Sequence, residues 1–296
     1  MPSDVLVVIV TYNSSQDIGA CLDSILRSTH RLRVVILDNA SSDDSADLAE
    51  QHPATTKVIR SATNLGFARG VNEAVKGEQF DLLLLLNPDT RLDDNCVDTL
   101  LECRESLGGP AIIGGISRNA KGEPGRHIPV LSQPNLPHAL KFAFGLGTIP
   151  FTRRFSPDSF HPRPGKRVEP VPAIAGCLML IEREIWERLG GFDEEFFMYG
   201  EDVDFCVRAR LCGYSTYVSQ FVRYVHIGGA SSKSESDELS LVMSGRYLLY
   251  RRYTPAALGC HLLLLGILAR GVAERLVGRK GKWWPAWKAR KVWLPN

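Results

Sequence analysis

Uninterrupted apolar runs alternate along the first half of the chain with segments in which apolar residues recur at helical spacing. Val5–Val10 and Leu82–Leu86 are continuous apolar runs, a pattern typical of strands that are buried on both faces of a sheet. Between residues 18 and 25 the apolar residues fall instead on one face of a helix. This alternation at βαβ spacing predicts an α/β fold, with a mostly parallel central sheet and helices on both faces.

The same patterns extend the alternation through most of the chain. Further strands are expected at 33–37, 57–60, 111–116 and 174–181, and helices at 94–106, 182–189 and 201–211. Near the C-terminus the pattern changes to an amphipathic helix over 237–252 and a more apolar one over 255–277. We therefore expect an α/β domain over 1–234, followed by a helical tail over 235–296.

Residues 117–170 interrupt this pattern, because they are rich in proline and glycine. A stretch of this length without regular periodicity is uncommon inside a compact domain unless it is functional or mobile. We expect a flexible insertion near the functional site, with a short helix over 136–146. A domain boundary is the less favoured alternative, since strand-like sequence resumes at Ile174.

Polar residues come directly after three of the predicted strands. Thr11–Asn13 end the first strand, Asp38 ends the second, and Asn87–Asp89 end the leucine run. Ligands of open parallel sheets bind outside the carboxyl ends of the strands, so we expect these segments to share one edge. One Asp after a strand is an ordinary turn, whereas several on one edge indicate a site.

The composition is that of an ordinary globular protein, with 44% hydrophobic and 23% charged residues. The net charge is only +2, but residues 270–296 carry about +7 and leave about −5 for the rest. The seven cysteines are odd in number and none forms a C-x-x-C pair, which favours a reducing compartment over a disulfide framework. The N-terminus lacks the pattern of a secretory leader, so we expect a cytoplasmic protein.

Three carboxylates begin the predicted helix at 201–211. Acids in a first helical turn are favoured by the helix dipole, and Asp204 with Arg208 has the spacing of a surface ion pair. Asp202, however, follows the apolar block Phe196–Tyr199, and burial raises the pKa of a carboxyl group towards the range of a general base. The residues alone leave both interpretations of Asp202 open.

His226, the Asn64–Asn72 loop and the absence of certain motifs limit the classes of function that fit the sequence. A histidine taken alone is ordinarily a hydrogen-bonded core residue, but an imidazole and a carboxylate beside a diphosphate would suit Mg²⁺ or Mn²⁺. The Asn64–Asn72 loop has two glycines, yet it matches neither G-x-G-x-x-G nor the P-loop pattern. No G-x-S-x-G motif occurs either. We therefore set aside dinucleotide binding, P-loop ATP hydrolysis and serine hydrolysis.

Eight segments, in order from about residue 5 to 230, resemble glycosyltransferase family 2, and within it the rhamnosyltransferase-like branch that builds bacterial cell-envelope polysaccharides. They are Val7–Asn13, Leu37–Asp43, Asn64–Asn72, Leu86–Thr90, Ala175–Met179, Gly190–Glu194, Phe197–Asp202 and His226. The resemblance implies a GT-A fold. It also implies an inverting transfer of a sugar from a nucleotide sugar to a hydroxyl of a lipid-linked or polysaccharide acceptor.

The resemblance assigns roles to individual residues by motif. Asp202 would be the catalytic base, Asp89 and His226 would bind the metal, and Glu201 and Asp193 would lie on the acceptor side. The residues expected to contact the nucleotide sugar are Thr11, Tyr12, Asn13, Asp38, Asn64, Gly66, Arg69, Asn72 and Asn87. The expected metal is Mg²⁺ or Mn²⁺.

The segment Asn87–Asp89 departs from the Asp-x-Asp that is frequent in the family. Metal binding then depends on one carboxylate at the strand end, so we expect modest metal affinity. Asn-Pro-Asp is common in the rhamnosyltransferase-like branch, and the prediction therefore keeps the metal.

The donor sugar is not contained in any motif. By resemblance to the branch, dTDP-L-rhamnose is the first candidate and a UDP-sugar the second. A sugar-phosphate nucleotidyltransferase is the alternative from another class, although a glycine-rich basic loop is missing after the first strand. A non-catalytic nucleotide-sugar-binding relative is disfavoured by the complete set of Asp89, Asp202 and His226.

The predicted tail carries four of the five tryptophans, interleaved with Lys and Arg between residues 279 and 293. Such a segment after an apolar helix favours an anionic membrane surface, which would place the protein on the inner face of the plasma membrane. A homodimer seam along 255–277 is the alternative, and nucleic acid is disfavoured by the acidic body. The apolar run Ala256–Leu268 has 13 residues, short of the roughly 20 that span a bilayer.

Overall fold

The computed structural model describes residues 4–119, 130–145, 166–227, 235–278 and 281–294. The strands are β1 (Val5–Thr11), β2 (Leu32–Asp38), β3 (Lys57–Arg60), β4 (Leu82–Leu86), β5 (Thr90–Leu92), β6 (Ala111–Arg118), β7 (Val130–Leu131), β8 (Glu169–Pro170), β9 (Ala173–Ile174), β10 (Leu178–Glu182) and β11 (Ser215–His226). The helices are α1 (Ile18–Ile25), α2 (Ser45–Gln51), α3 (Phe67–Val75), α4 (Cys96–Glu105), α5 (Leu136–Ala143), α6 (Arg183–Leu189), α7 (Glu201–Leu211), α8 (Glu235–Tyr253), α9 (Leu258–Leu276), α10 (Trp283–Lys288) and α11 (Arg290–Trp293).

Within the described residues, nine strands form one sheet in the order β3-β2-β1-β4-β10-β6-β11-β5, with β8 paired to β11. Neighbours from β3 to β4 pair in parallel, and β6 pairs in parallel with β11. Only β10, β5 and β8 run in the opposite direction. The sheet is therefore mostly parallel, as the sequence predicts.

The side chains of β1 alternate between two hydrophobic cores, one on each face of the sheet. Alternate residues of a strand point to opposite faces, so one half of β1 packs with α3 and the other half packs with α1 and α4. The first set is Leu6, Val8 and Val10, and the second is Val5, Val7 and Ile9. The prediction of helices on both faces is confirmed.

The predicted strand over 174–181 is two separate strands, and this corrects the sequence-based expectation. β9 ends at Ile174 and pairs with β7, whereas β10 begins at Leu178 and pairs with β4 and β6. Between them the backbone N–H of Gly176 donates a hydrogen bond to a side chain, the Oδ2 atom of Asp202, at 3.1 Å. The segment between the strands therefore belongs to the candidate site.

The helix α5 belongs to the proline-rich insertion and packs on the C-terminal helices. The helix begins at Leu136 and ends at Ala143, close to the predicted range. It shares a third hydrophobic core with α8 and α9. The buried members of that core are Ala139, Met243, Tyr250, Cys260, Leu263 and Ile267. Residues 120–129 and 146–165 lie outside the described residues, so a flexible insertion over 117–170 stays a prediction.

The apolar helical segment of the tail is longer than the 13-residue run suggests. Pro255–Leu276 spans 22 residues and its most apolar 18-residue window has a mean hydropathy of 1.8, so by length and composition alone it is able to cross a membrane. One third of its most apolar window is buried inside the protein. The sequence-based argument that this segment is too short to span a bilayer is therefore wrong.

Candidate active site

The carboxyl ends of β1 and β2 lie side by side and carry two buried polar side chains. Thr11 and Asp38 are register partners in the parallel pair, and the N–H of Asn39 donates to the carbonyl of Thr11 at 2.8 Å. Within the described residues, the Oγ1 atom of Thr11 and the Oδ1 atom of Asp38 are buried without a hydrogen-bond partner. Buried polar atoms are nearly always hydrogen-bonded, so these two oxygens are left free to receive a polar ligand.

The turns after β1 and β2 are locked together by Asn13. Its backbone has φ of 51°, a left-handed conformation that Asn tolerates better than most residues. Its Oδ1 atom accepts from the N–H of Ser42 at 2.8 Å, and its own N–H donates to Oγ of Ser41 at 3.0 Å. Tyr12, half-buried, lies directly before it. The structure therefore brings Thr11, Tyr12, Asn13 and Asp38 to one edge of the sheet.

The loop before α3 is fixed against this edge by Asn39, a residue to which the sequence-based reasoning assigned no role. The Nδ2 atom of Asn39 donates to the carbonyl of Gly66, and its Oδ1 accepts from the N–H of Leu65, both at 2.9 Å. Asn64 closes the turn by accepting the Gly66 N–H at 2.9 Å. Asn39 lies inside the Leu37–Asp43 motif, so the only available signal was its position beside Asp38.

Gly66 requires its residue type because the chain approaches another backbone there. Its φ is 79°, and a Cβ at this position would overlap the carbonyl oxygen of Phe197. That same oxygen accepts the N–H of Phe67 at 2.7 Å. The loop of Asn64 and Gly66 is therefore clamped between the β2 edge and the segment that leads to Asp202.

Two residues of α3, Arg69 and Asn72, contact the turn at 192–194. The amide of Asn72 donates to the carbonyl of Phe192 at 2.9 Å and accepts its N–H at 3.0 Å. Arg69, more than half exposed, lies 3.8 Å from Glu194. Asn72 therefore holds this turn, and contact of either side chain with a nucleotide stays a prediction.

Asp89 and His226 meet across the pairing of β5 with β11. Thr90 and His226 are register partners, and the N–H of Ile227 donates to the carbonyl of Asp89 at 3.2 Å. This pairing brings Nε2 of His226 to 3.2 Å from Oδ1 of Asp89, with both side chains more than nine-tenths buried. The amide of Asn87 is 3.4 Å from the same Nε2 atom. The structure therefore joins three of the predicted residues.

The surroundings of His226 favour the protonated form of its imidazole. Burial lowers the pKa of the imidazole, but hydrogen bonds to the Asp89 carboxylate and the Cys177 thiol outweigh it and raise the pKa to about 10. Without a metal these contacts favour the protonated imidazole, which must release its proton before it can bind a cation. A carboxylate oxygen and a neutral imidazole nitrogen suit Mn²⁺, and the carboxylate also suits Mg²⁺. Among the described residues, no cluster of three or more His, Cys, Asp or Glu is able to hold a metal. The two donors fit a divalent cation only if a ligand such as a diphosphate completes its coordination.

Asp202 lies at the N-terminus of α7 with its carboxylate held from two sides. Its Oδ2 accepts the N–H of Gly176 at 3.1 Å, and its Oδ1 accepts the N–H of Val203 at 2.8 Å. Burial raises the pKa of this carboxyl group, while the backbone hydrogen bonds act to lower it. The side chain remains partly exposed. Partial exposure and a raised pKa are two properties that suit a general base.

Glu201 is buried, and its predicted position on the acceptor side stays a prediction. It is 4% exposed, and its Oε2 has no hydrogen-bond partner within the described residues. Burial, followed by the charge of Asp202, raises the pKa of Glu201 well above its ordinary value. Asp193 instead pairs with Arg252 at 2.8 Å, so its contact with an acceptor stays a prediction.

The expected surface ion pair between Asp204 and Arg208 is wrong, because the pair is not at the surface. The Asp204 side chain is fully buried. Oδ2 accepts from Arg208 Nε at 2.7 Å, and Oδ1 accepts from Arg252 Nη1 at 3.0 Å and from the Tyr253 hydroxyl at 2.7 Å. Two of these partners come from α8, which the spacing of Asp204 and Arg208 in the sequence does not reveal.

Tyr199 lies before α7, within electrostatic range of carboxylates from three parts of the chain. Burial raises the pKa of its phenol to about 12, and the charges of Glu238, Glu201 and Asp89 act in the same direction.

Comparison with known proteins agrees with this geometry. The sequence profile described as "Glycosyltransferase like family 2" matches residues 2–237. The chain is 27% identical over 263 residues to the N-acetylglucosaminyl-diphospho-decaprenol L-rhamnosyltransferase of Mycobacterium tuberculosis strain H37Rv, covering 83% of this chain and 84% of that protein. It is 24% identical to rhamnosyltransferase WbbL of Escherichia coli K12, covering 84% of this chain and 94% of that protein.

A solved structure shares the fold. The mannosyltransferase PcManGT from Pyrobaculum calidifontis, solved in complex with GDP-Man and Mn²⁺, superimposes with a TM-score of 0.58 at 17% sequence identity. The match covers 99% of this chain and 86% of that one. At this identity the likeness establishes a GT-A type of fold, with the central sheet described above.

Proposed function

Because this chain belongs to glycosyltransferase family 2, whose members use nucleotide-sugar donors, we propose that it is a metal-dependent, inverting transferase of L-rhamnose. The proposed donor is dTDP-L-rhamnose, and the acceptor is a hydroxyl of a lipid-linked or polysaccharide glycan. Two relatives at 24–27% identity are named as rhamnosyltransferases, which supports the choice of sugar. A UDP-sugar is the second candidate donor.

The observation that carries this proposal is the pair of unpartnered oxygens at the sheet edge. Asp38 Oδ1 accepts only, so it needs a donor, and a ring N–H of thymine or uracil supplies one. Thr11 Oγ1 is able to donate or accept beside it. An orphaned carboxylate oxygen costs free energy unless a ligand satisfies it. Nucleoside binding at Thr11 and Asp38 supplies the missing partners.

The chemistry of transfer follows from the residues around this edge. Asp89 and His226 would hold a divalent cation, which when bound neutralises charge on the departing diphosphate. Asp202 accepts the proton of the acceptor hydroxyl as its oxygen attacks the anomeric carbon. Attack from the face opposite the diphosphate forms the new glycosidic bond as the old C–O bond breaks, so the configuration inverts. The N–H groups of Gly176 and Val203 orient the Asp202 carboxylate for this step.

The proposal is tested with the full-length chain, a lipid-linked glycan acceptor and Mn²⁺. We expect release of dTDP from dTDP-L-rhamnose to exceed release of UDP from UDP-glucose. Asp202→Asn should abolish transfer while calorimetry still detects dTDP binding. Asp38→Ala should lose dTDP binding. A fully active Asp202→Asn enzyme would contradict the assignment of the base, and release of pyrophosphate would indicate a nucleotidyltransferase instead.

We further propose that α9 contacts an anionic membrane and places the enzyme on the inner face of the plasma membrane. The exposed apolar side chains of the helix recur on one face, at Leu258, Leu265, Val272 and Leu276. Three tryptophans of the tail instead stack on arginines, with Arg270 over Trp283, Arg275 over Trp284 and Arg290 over Trp287. We therefore assign the membrane contact to the leucine face, with the exposed Lys282 and Lys288 of the tail supplying positive charge.

Vesicle flotation tests this placement. Wild-type protein should float with vesicles containing anionic lipid and should float less with neutral ones, and Leu265→Glu should reduce flotation in both. Leu48→Glu is the matched control, since Leu48 is also an exposed leucine but lies on α2. Concentration-dependent dimerisation that Leu265→Glu abolishes, without flotation, would support the dimer seam instead.

A further inference from the structure

We propose that α8, the first helix after the family domain, positions the catalytic base, and that Arg252 is the positioning residue through which it acts. The inference deepens the proposed function, since it depends on Asp202 being the base. It assigns to the tail a role in the chemical step that is separate from membrane contact. Three sets of contacts carry it, at Gly245, at Asp204 and at Arg252.

The first contact is a direct approach of the two backbones, between Gly245 in α8 and the turn before Glu201. A Cβ on Gly245 would overlap the carbonyl oxygen of Tyr199. A Cβ on Gly200 would lie 3.2 Å from the carbonyl oxygen of Gly245. The two backbones therefore touch without intervening side chains. Any displacement of α8 would also displace the turn that begins α7.

The turn itself needs this support. Tyr199 has φ of 67° and Gly200 has φ of 105°, so two successive residues adopt the left-handed region. That conformation is strained for an aromatic residue and persists only where the surroundings enforce it. The next two residues are Glu201 and Asp202. The backbone that aims the base is therefore held from outside by α8.

The second contact fixes the other side of the base. Asp204, two residues after Asp202, is completely buried and accepts hydrogen bonds from Arg252 and Tyr253, the last two residues of α8. A buried carboxylate needs partners in good geometry. Arg208, within α7 itself, supplies a third hydrogen bond but is the only partner of Asp204 that α7 provides. The first turn of α7 is thus tied to the end of α8.

The third set of contacts joins the guanidinium group of Arg252 to the segment that precedes the turn at Tyr199. Arg252 donates to Asp193 at 2.8 Å, pairs with Glu195 at 2.5 Å and stacks over Phe196 at 5.0 Å from the ring centroid. Burial acts to lower the pKa of Arg252, but these carboxylates outweigh it and raise that pKa. One side chain therefore holds both ends of the stretch 193–204, which carries Asp202 between them.

Small movements of this stretch matter because Asp202 is held by groups from elsewhere. Its Oδ2 accepts the N–H of Gly176, which belongs to the segment between β9 and β10. If α7 shifts relative to that segment, this hydrogen bond breaks and the carboxylate turns. A misplacement of about 1 Å from a residue outside the chemistry lowers the rate by roughly 100-fold. The donor edge at Thr11 and Asp38 lies on other strands, so the shift should displace Asp202 more than the nucleotide site, although Phe197 of this stretch contacts the Gly66 loop.

The test compares Arg252→Ala with Arg251→Ala in the full-length chain. Arg251 is the neighbouring arginine of α8 and pairs with Glu195 but not with Asp204. We expect Arg252→Ala to lower kcat by about 100-fold, with clearly smaller changes in the KM for donor and in dTDP affinity by calorimetry. Arg252→Lys should recover part of kcat, because lysine restores the positive charge but lacks the several fixed donors of the guanidinium group. Arg251→Ala should stay within about twofold of wild type.

Two further variants keep the test informative if Arg252→Ala folds poorly. Tyr253→Phe removes one hydroxyl and one hydrogen bond to Asp204, and Gly245→Ala forces the two backbones apart. Each should lower kcat more than it lowers dTDP affinity, with thermal unfolding within a few degrees of wild type for Tyr253→Phe. Unchanged kcat in both, or an equal loss in Arg251→Ala, would overturn the positioning role. If Asp202→Asn is itself active, the base assignment fails instead, and the two failures are distinguished.

Discussion

The Nε2 atom of His226 lies 3.2 Å from the Oδ1 atom of Asp89, although the two residues lie far apart in the sequence. The contact is created by the antiparallel pairing of β5 with the last residues of β11, in which Thr90 and His226 are register partners. The residue before a short edge strand and the last residue of a long strand thus share one buried site. A sequence motif names each residue but does not contain the register that joins them.

Asp89→Asn should weaken Mn²⁺ binding in the presence of dTDP, because it replaces a charged ligand with a neutral one. The loss should be at least about 10- to 100-fold, the range known for residues that only orient a ligand, and His226→Ala should lose less. Electron paramagnetic resonance of free Mn²⁺ measures the affinity directly. Asp17→Asn is the matched control, since Asp17 lies within the electrostatic range of Asp89 but ion-pairs with Arg91. Equal affinities in Asp89→Asn and wild type would remove Asp89 from the metal site.

The pH dependence of kcat should show an acidic limb set by Asp202. Burial raises the pKa of this carboxyl above its ordinary value of 3.8. A base works only without its proton, so kcat should rise as the pH passes upward through the raised pKa and fall below it. The profile is measured at saturating donor, acceptor and Mn²⁺. An acidic limb at or below pH 3.8 would show that burial has not shifted the catalytic group.

Glu201→Gln should stabilise the protein at neutral pH. The folded-state pKa of Glu201 is raised above its ordinary value of 4.5, so the wild-type fold is weakened as the pH rises from that value towards the folded pKa. Glutamine carries no charge and avoids this loss, and the two proteins should converge in acid. Calorimetric Tm values at neutral and acidic pH measure the difference.

Glu195→Gln is the control of opposite sign for that measurement. Burial acts to raise the pKa of Glu195, but Arg252 and Arg251 outweigh it and lower the pKa. Its contribution to stability is present above the unfolded pKa and is lost as the pH falls. Glu195→Gln should therefore lower Tm at neutral pH, and a rise in both variants would contradict the assignment of the two shifts.

Gly66→Ala should reduce dTDP binding, because the added Cβ overlaps the Phe197 carbonyl and displaces the loop at Asn64. Gly77→Ala is a close control, since its φ of 78° matches the 79° of Gly66 but no atom lies within 4 Å of the added Cβ. Gly77→Ala should cost about 1–2 kcal/mol of stability from the left-handed backbone alone. Calorimetric titration with dTDP separates the two. Equal dTDP affinity in both variants would mean that the Phe197 contact does not shape the site.

The sheet was predictable because its evidence is local. The apolar runs of β1, β2 and β4 and the polar residues after them lie within short stretches of sequence. Asp204 shows what local patterns miss. Its spacing from Arg208 is that of an exposed helical pair, and burial was decided by Arg252 and Tyr253, which approach from another helix. Asn39 was missed for a similar reason, since its partners at Leu65 and Gly66 become neighbours only after folding.

Glu201 illustrates a different limit. Its motif placed it next to the base, but motif position does not specify which way a side chain points. The residues of a helix's first turn lie on different faces, so Asp202 stays partly exposed while Glu201 enters the interior. The direction of a side chain depends on where its helix starts and on what packs over that start. Here α8 packs over the start of α7.

The link between Asp204 and Arg252 also sets a time for the maturation of the enzyme. These partners are 48 residues apart, so during synthesis the ribosome makes Arg252 roughly 2 to 10 s after Asp204 at ordinary elongation rates. Until α8 has left the exit tunnel, the nascent chain holds a complete family domain whose buried carboxylate lacks two of its three partners. If α8 positions the base as proposed, the newly made protein reaches full activity only once the C-terminal helices have emerged, and a product truncated before Arg252 would bind donor but turn it over slowly.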